Sequence, residues 1–327
     1  MRLTLRNKIF LLMLSLQVFC TGFSTPYAQT QNQSYLTQSL QSISLTQAIV
    51  SHKITHYADK LDTFFGGQRS WDKINGSQIQ LSSVNRSDAT KKINHQFDTR
   101  IKLDLPKTNR RFSFVFETSQ TDNTLAETQE PSDEGTNETE QQQAQSTIMQ
   151  SMLRWAFHKG KKWQYRADGG FEFHPKPIPK TQLAAIQEID KHQWLFRISE
   201  KIEWNLKNKF QQQNRLDMER QLKGWHFKSS SLLQWQQSSP GILGRQQFFL
   251  YHQLTGRYGL YYLFEANTVN QPKPSVRDTS ISVHFRQRLA ARWLFLDAVP
   301  KLEFSHSNRF RPYASFTLTL QLILGHS

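Results

Sequence analysis

From about residue 94 to the C-terminus the chain alternates apolar and polar side chains. In the last segment Phe310, Pro312, Ala314, Phe316, Leu318, Leu320, Leu322 and Leu324 share one parity. Arg311, Ser315, Thr317, Thr319 and Gln321 take the other, and Ile323 alone breaks the rule. Successive side chains of a strand point to opposite faces, so this period of two describes a strand with one apolar and one polar side. The same reading gives a hairpin from Phe97, Thr99, Ile101, Leu103 and Leu105 through the turn at Pro106 to Phe112, Phe114 and Phe116. A second hairpin runs from Met149, Leu153, Trp155 and Phe157 through Lys159-Gly160-Lys161 to Trp163, Tyr165, Ala167, Phe171 and Phe173. Further strands are predicted at 192–206, 209–221, 224–236, 246–255, 257–268, 279–290, 292–306 and 311–325.

Counted from residue 94, these segments make twelve strands, in a range of ten to fourteen. A weaker one at 77–87, carrying Ile79 and Leu81, reads as a preceding or capping strand, because single-chain bacterial barrels take even numbers. Two stretches interrupt the hairpins. Residues 121–146 are acidic, rich in Gln and free of Lys and Arg, a composition that predicts disorder. Residues 175–191 open on Pro175, Pro177 and Pro179 and are expected to be an excursion ending in one helical turn around Leu183–Ile189. With twelve strands and a periplasmic C-terminus, both excursions fall on the periplasmic side.

Ahead of the strands, Ile54, Tyr57, Ala58, Leu61, Phe64 and Phe65 recur at three- and four-residue spacing and stop at Gly66-Gly67. That is a short amphipathic helix over 54–66 with a glycine cap. It suits packing on a barrel mouth or lumen wall, and alternatively docking of a periplasmic protein partner. At the start, Arg2, Arg6 and Lys8 precede the apolar run Ile9–Phe19, and small and polar residues follow through Ala28. The pattern predicts a signal peptide over 1–28, since the run is about half the roughly twenty residues a spanning helix needs. Cys20 is the one cysteine, and Phe19 before it is too bulky for lipoprotein processing. The expected parts are therefore a leader (1–28), a periplasmic lead (29–75) and a β-domain (76–327).

Alternation alone fits a soluble sandwich as well as a barrel. The tryptophans help separate them: Trp155, Trp163, Trp194, Trp204, Trp225, Trp235 and Trp293 all lie near predicted strand ends, where a membrane barrel places its aromatic girdles. A mean hydropathy of −0.63 excludes a helical membrane protein but not a barrel, half of whose strand residues are polar. The expected fold is all-β, an antiparallel transmembrane β-barrel of the outer membrane. On the polar parity the strand centres carry Arg100, Lys102, Asp104, Arg154, Arg166, Asp168, Arg197, Lys201, Glu203, Arg215, Asp217 and Glu219. In a barrel these would form a mixed lumen charge ladder, suited to a largely filled interior.

The formal charge is +15, and +12 once the three cations of the leader are gone. Export argues against nucleic acid as the counterpart, leaving outer-membrane lipid, lipopolysaccharide phosphates or acidic solutes as natural anions. Several segments resemble a family of exported proteobacterial proteins of unknown function. They are Ala58–Gly66, Arg100–Thr108, Phe285–Leu289 with Arg292–Asp297, and Ser315–Leu320. The resemblance implies an exported β-barrel and transfers no catalytic residues.

No motif for catalysis or cofactor binding stands out. His306-Ser307-Asn308 invites comparison with outer-membrane lipid hydrolases, but adjacent strand residues face opposite ways and the spacing differs. Asp217-Met218-Glu219 and Lys201-Ile202-Glu203 hold same-face charge pairs that read as lumen salt bridges. The histidines are scattered without metal-ligand spacing, so neither a metal nor a cofactor is expected. The function classes left open are a structural, interaction or narrow transport role in the Gram-negative envelope, an anion-selective pore, a soluble periplasmic protein binding acidic glycans, and, last, a lipid hydrolase.

Overall fold

The computed structural model describes residues 64–65, 77–89, 93–105, 112–120, 147–159, 163–174, 176–191, 193–207, 209–239, 241–253, 255–289 and 293–325. Fourteen antiparallel strands close into one barrel. They are β1 (Gln78–Asp88), β2 (Ile93–Asp104), β3 (Phe112–Gln120), β4 (Thr147–Lys159), β5 (Trp163–His174), β6 (Lys176–Lys191) and β7 (Trp194–Asn205). The circle continues with β8 (Lys209–Leu222), β9 (Trp225–Gln236), β10 (Ile242–Gln253), β11 (Tyr258–Val269), β12 (Ser275–Arg288), β13 (Leu294–Ser305) and β14 (Pro312–Gly325). Each strand pairs with its sequence neighbours, and β1 closes the circle on β14.

The count of twelve is corrected at two places. The segment at 77–87 is no cap: β1 pairs with β14 from Gln78↔Gly325 to Asp88↔Ser315 and is the closing strand. Residues 176–191 form a sixteen-residue strand, not an excursion with a helical turn. Its prolines are tolerated because of where the ladder ends. Pro177 and Pro179 pair only with β5, since pairing of β6 to β7 begins at Lys180↔Asn205. A residue without an N–H therefore interrupts no bond on the β7 side.

The two added strands also move the acidic segment. With β1 as the first strand, 121–146 joins β3 to β4 at the end of the barrel opposite the termini, not at the end that carries them. No α-helix belongs to the observed wall. Of the helix expected over 54–66, only Phe64 and Phe65 are described, with helical backbone, and the rest lies outside the described residues, as does the predicted leader.

The closing seam depends on one glycine. Gly325 has φ +130°, and a Cβ there would sit 2.2 Å from the Ser77 carbonyl oxygen. Only a residue without a side chain fits that close approach and conformation.

The two faces of the wall divide as the alternation requires. The outer face shows Phe97, Leu183, Leu233, Ile281, Phe316 and Leu320, all strongly exposed, while the inner face buries Lys102, Asp168, Arg197, Asp217, His226 and Arg286. Trp155, Trp163, Trp194, Trp225 and Trp293 ring the end that carries the termini, and Trp204 and Trp235 mark the other. Cross-strand stacks of Phe227 on Phe248 (6.3 Å) and Phe248 on Phe264 (6.2 Å) tighten the outer surface between them.

Candidate functional site: a basic cavity and an aromatic socket in the lumen

Neighbouring strands β4, β5, β6 and β7 place four rows of charged side chains on one inner wall. Asp168 of β5 is the hub. Arg154 of β4 grips it with both nitrogens, Nε to Oδ1 at 3.0 Å and Nη2 to Oδ2 at 3.1 Å, and Arg166 reaches Oδ2 at 3.4 Å. Gln182 of β6 donates to the same carboxylate at 3.2 Å. One strand further round, Lys180 bridges Glu203 at 2.9 Å and Glu172 at 3.3 Å, and Lys201 adds a second contact to Glu203 at 3.4 Å. Such pairs are costly in a desolvated wall, and Asp168 and Glu203 each offset that cost by meeting more than one donor.

The other ladder residues are distributed around the same surface. Arg100 pairs with Glu117 at 3.4 Å, and Arg197 with Glu188 at 3.6 Å. Asp104 accepts a hydrogen bond from Ser113 Oγ at 2.8 Å, and Lys102 is fully buried. Asp217 and Glu219 share Lys228, each at 3.5 Å, and Glu219 also meets His226 at 3.2 Å. Arg215 has no ion-pair partner among the described residues and faces open space.

That open space is a cavity of about 310 Å³ against this wall. Its lining includes six cations, Arg100, Arg154, Arg166, Lys180, Lys201 and Arg215, and the inward carboxylate of Glu117. A second carboxylate at this level, Glu200, sits on the outward parity of β7, between the exposed Ile198 and Ile202. Asp168, Glu172 and Glu203 lie directly behind this lining and neutralise most of it, so the wall keeps an excess of two positive charges, one of them on Arg215, and low-dielectric walls focus that field on any solute that enters.

Across the lumen, β10–β13 build a different surface. Phe249, Tyr251, Tyr261 and His284 pack ring on ring, with Tyr251–Tyr261 at 4.9 Å and Tyr261–His284 at 4.1 Å. Into this patch goes the Phe64-Phe65 pair from the N-terminal segment, near the end that carries the termini. Phe65 stands edge-on to Tyr261 at 5.0 Å, and Phe64 edge-on to Phe295 at 6.0 Å. Gly259 makes the room: a Cβ there would come within 2.5 Å of the Phe64 ring and 2.6 Å of the Phe65 ring. Arg286 secures the pair by donating from Nη1 to the Phe64 carbonyl at 2.6 Å, while its other nitrogens hold Asp297 at 2.6 and 2.9 Å. It also bonds Gln321, whose amide donates to Ser82 Oγ across the closing seam at 3.2 Å.

Sequence reasoning passed over Lys180, Glu172, Glu188, Lys228, Arg286 and Asp297. Lys180 and Glu188 were hidden by the proline-led reading of 175–191. The socket had a signal: Phe248-Phe249-Leu250-Tyr251 is apolar on both parities, which a strand lining a polar lumen has no reason to be unless something apolar covers it inside. At the far end, His306–Asn308 form a 3-10 turn in which Ser307 Oγ meets Ser305 Oγ at 2.8 Å and the His306 ring packs on Phe310 at 5.9 Å. The histidine and the serine hydroxyl are thus engaged with different partners.

No protein-family model matches the chain, and no curated protein matches it in sequence. Among solved structures it is similar to OmpT of Vibrio cholerae, an outer-membrane protein, at 9% identity and a TM-score of 0.45, over 76% of this chain and 98% of that one. It is also similar to OccK11 (OpdR) of Pseudomonas aeruginosa, at 9% identity and a TM-score of 0.42 over 77% and 96% of the two chains. The outer membrane channel DcaP of Acinetobacter baumannii gives 8% identity and a TM-score of 0.42 over 76% and 96%.

Proposed function

We propose that this chain spans the outer membrane and provides a narrow passage that prefers anionic solutes, with Phe64 and Phe65 closing part of its lumen. The basic cavity carries this reading: six cations line a space of about 310 Å³ against four inward carboxylates, and Arg215 among them has no ion-pair partner among the described residues. The apolar outer face with aromatic ends supports the membrane setting, because a closed barrel leaves no backbone edge unsatisfied in hydrocarbon. The ladder from Arg100 to Glu219 then has two roles. Paired members, Lys201 on Glu203 among them, hold the wall rigid, and Arg215 presents its charge to the solute. The docking of Phe64 and Phe65 on the barrel's own wall favours a lumen-bound N-terminal segment over a periplasmic protein partner.

The test is reversal potential in planar bilayers under a potassium chloride gradient. Chloride preference is expected, falling toward no preference when Arg100, Lys201 and Arg215 are all changed to Gln. Cation preference, or the absence of conductance in both the natural chain and a Phe64→Ala, Phe65→Ala variant, would sink the reading.

A further inference from the structure

All the Asp and Glu side chains on the described strands sit on the inward parity, with one exception. Glu200 lies mid-strand on β7, between the outward tryptophans Trp194 and Trp204 that mark the two ends. Its outward position follows from its neighbours: Ile198 and Ile202 are exposed, whereas Arg197 and Glu203 on the other parity are buried. Glu200 is not alone. Gln212 donates to its Oε1 at 2.9 Å, and the polar outer face continues across β9 and β10, where Ser231 donates to Gln246 at 2.5 Å and Gln246 to Ser229 at 2.9 Å. Two groups at the centre remain unsatisfied. Glu200 Oε2 and the carboxamide of Asn214, its register partner on β8, have no hydrogen-bond partner among the described residues.

In hydrocarbon, such groups are costly, and an ionisable side chain at membrane depth calls for a partner that is itself in the membrane. We propose that the outer face of β7–β10 is the contact between this chain and a second copy of itself. This rests on the membrane reading above and is independent of the solute. The face is self-complementary: an amide offers donor and acceptor together, so Asn214 of one copy can meet Glu200 of the next. Small side chains at Ser229, Ser231 and Gly244 let the walls approach, and exposed Leu216, Leu233 and Phe248 surround the polar centre with apolar surface.

The experiment uses full-length protein in native membranes, with single cysteines introduced at Ser231 (Ser231→Cys) or, on the opposite wall, at Phe97 (Phe97→Cys), and copper-phenanthroline oxidation. A band at twice the chain mass is expected from Ser231→Cys and not from Phe97→Cys. In mild detergent, Glu200→Leu with Asn214→Leu should reduce the oligomeric fraction at least tenfold while the heat-dependent shift of the folded barrel on gels is kept. A monomer with Ser231→Cys uncrosslinked, equal crosslinking from Phe97→Cys, or a crosslinked species whose added mass is another protein's overturns the proposal. Loss of the heat-dependent shift in the natural chain would instead count against the membrane barrel itself.

Discussion

Arg286 of β12 donates a 2.6 Å hydrogen bond to the main-chain oxygen of Phe64, 222 positions earlier in the chain. The same guanidinium holds Asp297 through two nitrogens and lies 4.8 Å from the centre of the Phe295 ring. One side chain therefore joins the N-terminal segment, the β12–β13 ladder and, through Gln321, the closing seam.

Changing Gly259 to Val tests whether that attachment holds the lumen closed. The new side chain occupies the volume of the Phe64 and Phe65 rings, so the pair must leave its socket. Single-channel conductance should rise several-fold, and chymotrypsin should cut the N-terminal segment at least tenfold faster. An unchanged conductance would show that the rings do not obstruct the passage.

Asp168 and Arg215 should respond in opposite ways. The Asp168 side chain is fully buried between two arginines, so Asp168→Asn leaves both guanidiniums short of a counter-charge and should cost about 3 to 5 kcal/mol in urea unfolding. Arg215 has no ion-pair partner among the described residues, so Arg215→Gln should change stability by less than about 0.5 kcal/mol. It should nevertheless reduce chloride preference measurably.

Gly325→Val should prevent the last ladder from forming, since the substituent meets the Ser77 main chain and the backbone has positive φ. Gels of the unheated variant should lack the compact, fast-migrating band that the natural chain gives.

Residues 121–146 connect β3 and β4 at the end away from the termini, so in intact cells they should face the medium. A glutamate-specific protease should cleave there, and trypsin should not, because the segment has no Lys or Arg. Cleavage only after the outer membrane is breached would reverse the orientation.

The sequence made the barrel legible where alternation was clean. Strands β7 and β14 carry one apolar and one polar parity along most of their length, and the inward direction of the charged residues followed directly. β1 was harder, because its outward face declines from Ile79 and Leu81 to Ser83, Asn85 and Ser87. β6 was concealed by prolines harmless where β7 has ended. Pairing partners were not legible at all: Arg154 meets Asp168 because of cross-strand register, which a period of two leaves unspecified. The socket required knowing that β10 and β13 curve toward the same side of the lumen.

The seam between β1 and β14 has a consequence for how the wall is made. Each strand from β2 to β14 can pair with the one before it as soon as both exist. β1 alone must wait for the final fourteen-residue strand, with its second edge unpaired until then. Closure is the longest-range step in the fold, so by the cost of bringing distant segments together it is the slowest. A chain that has zipped thirteen ladders is still an open sheet with two adhesive margins. Its safety from aggregation depends on how soon Ser77 and Gly325 find each other.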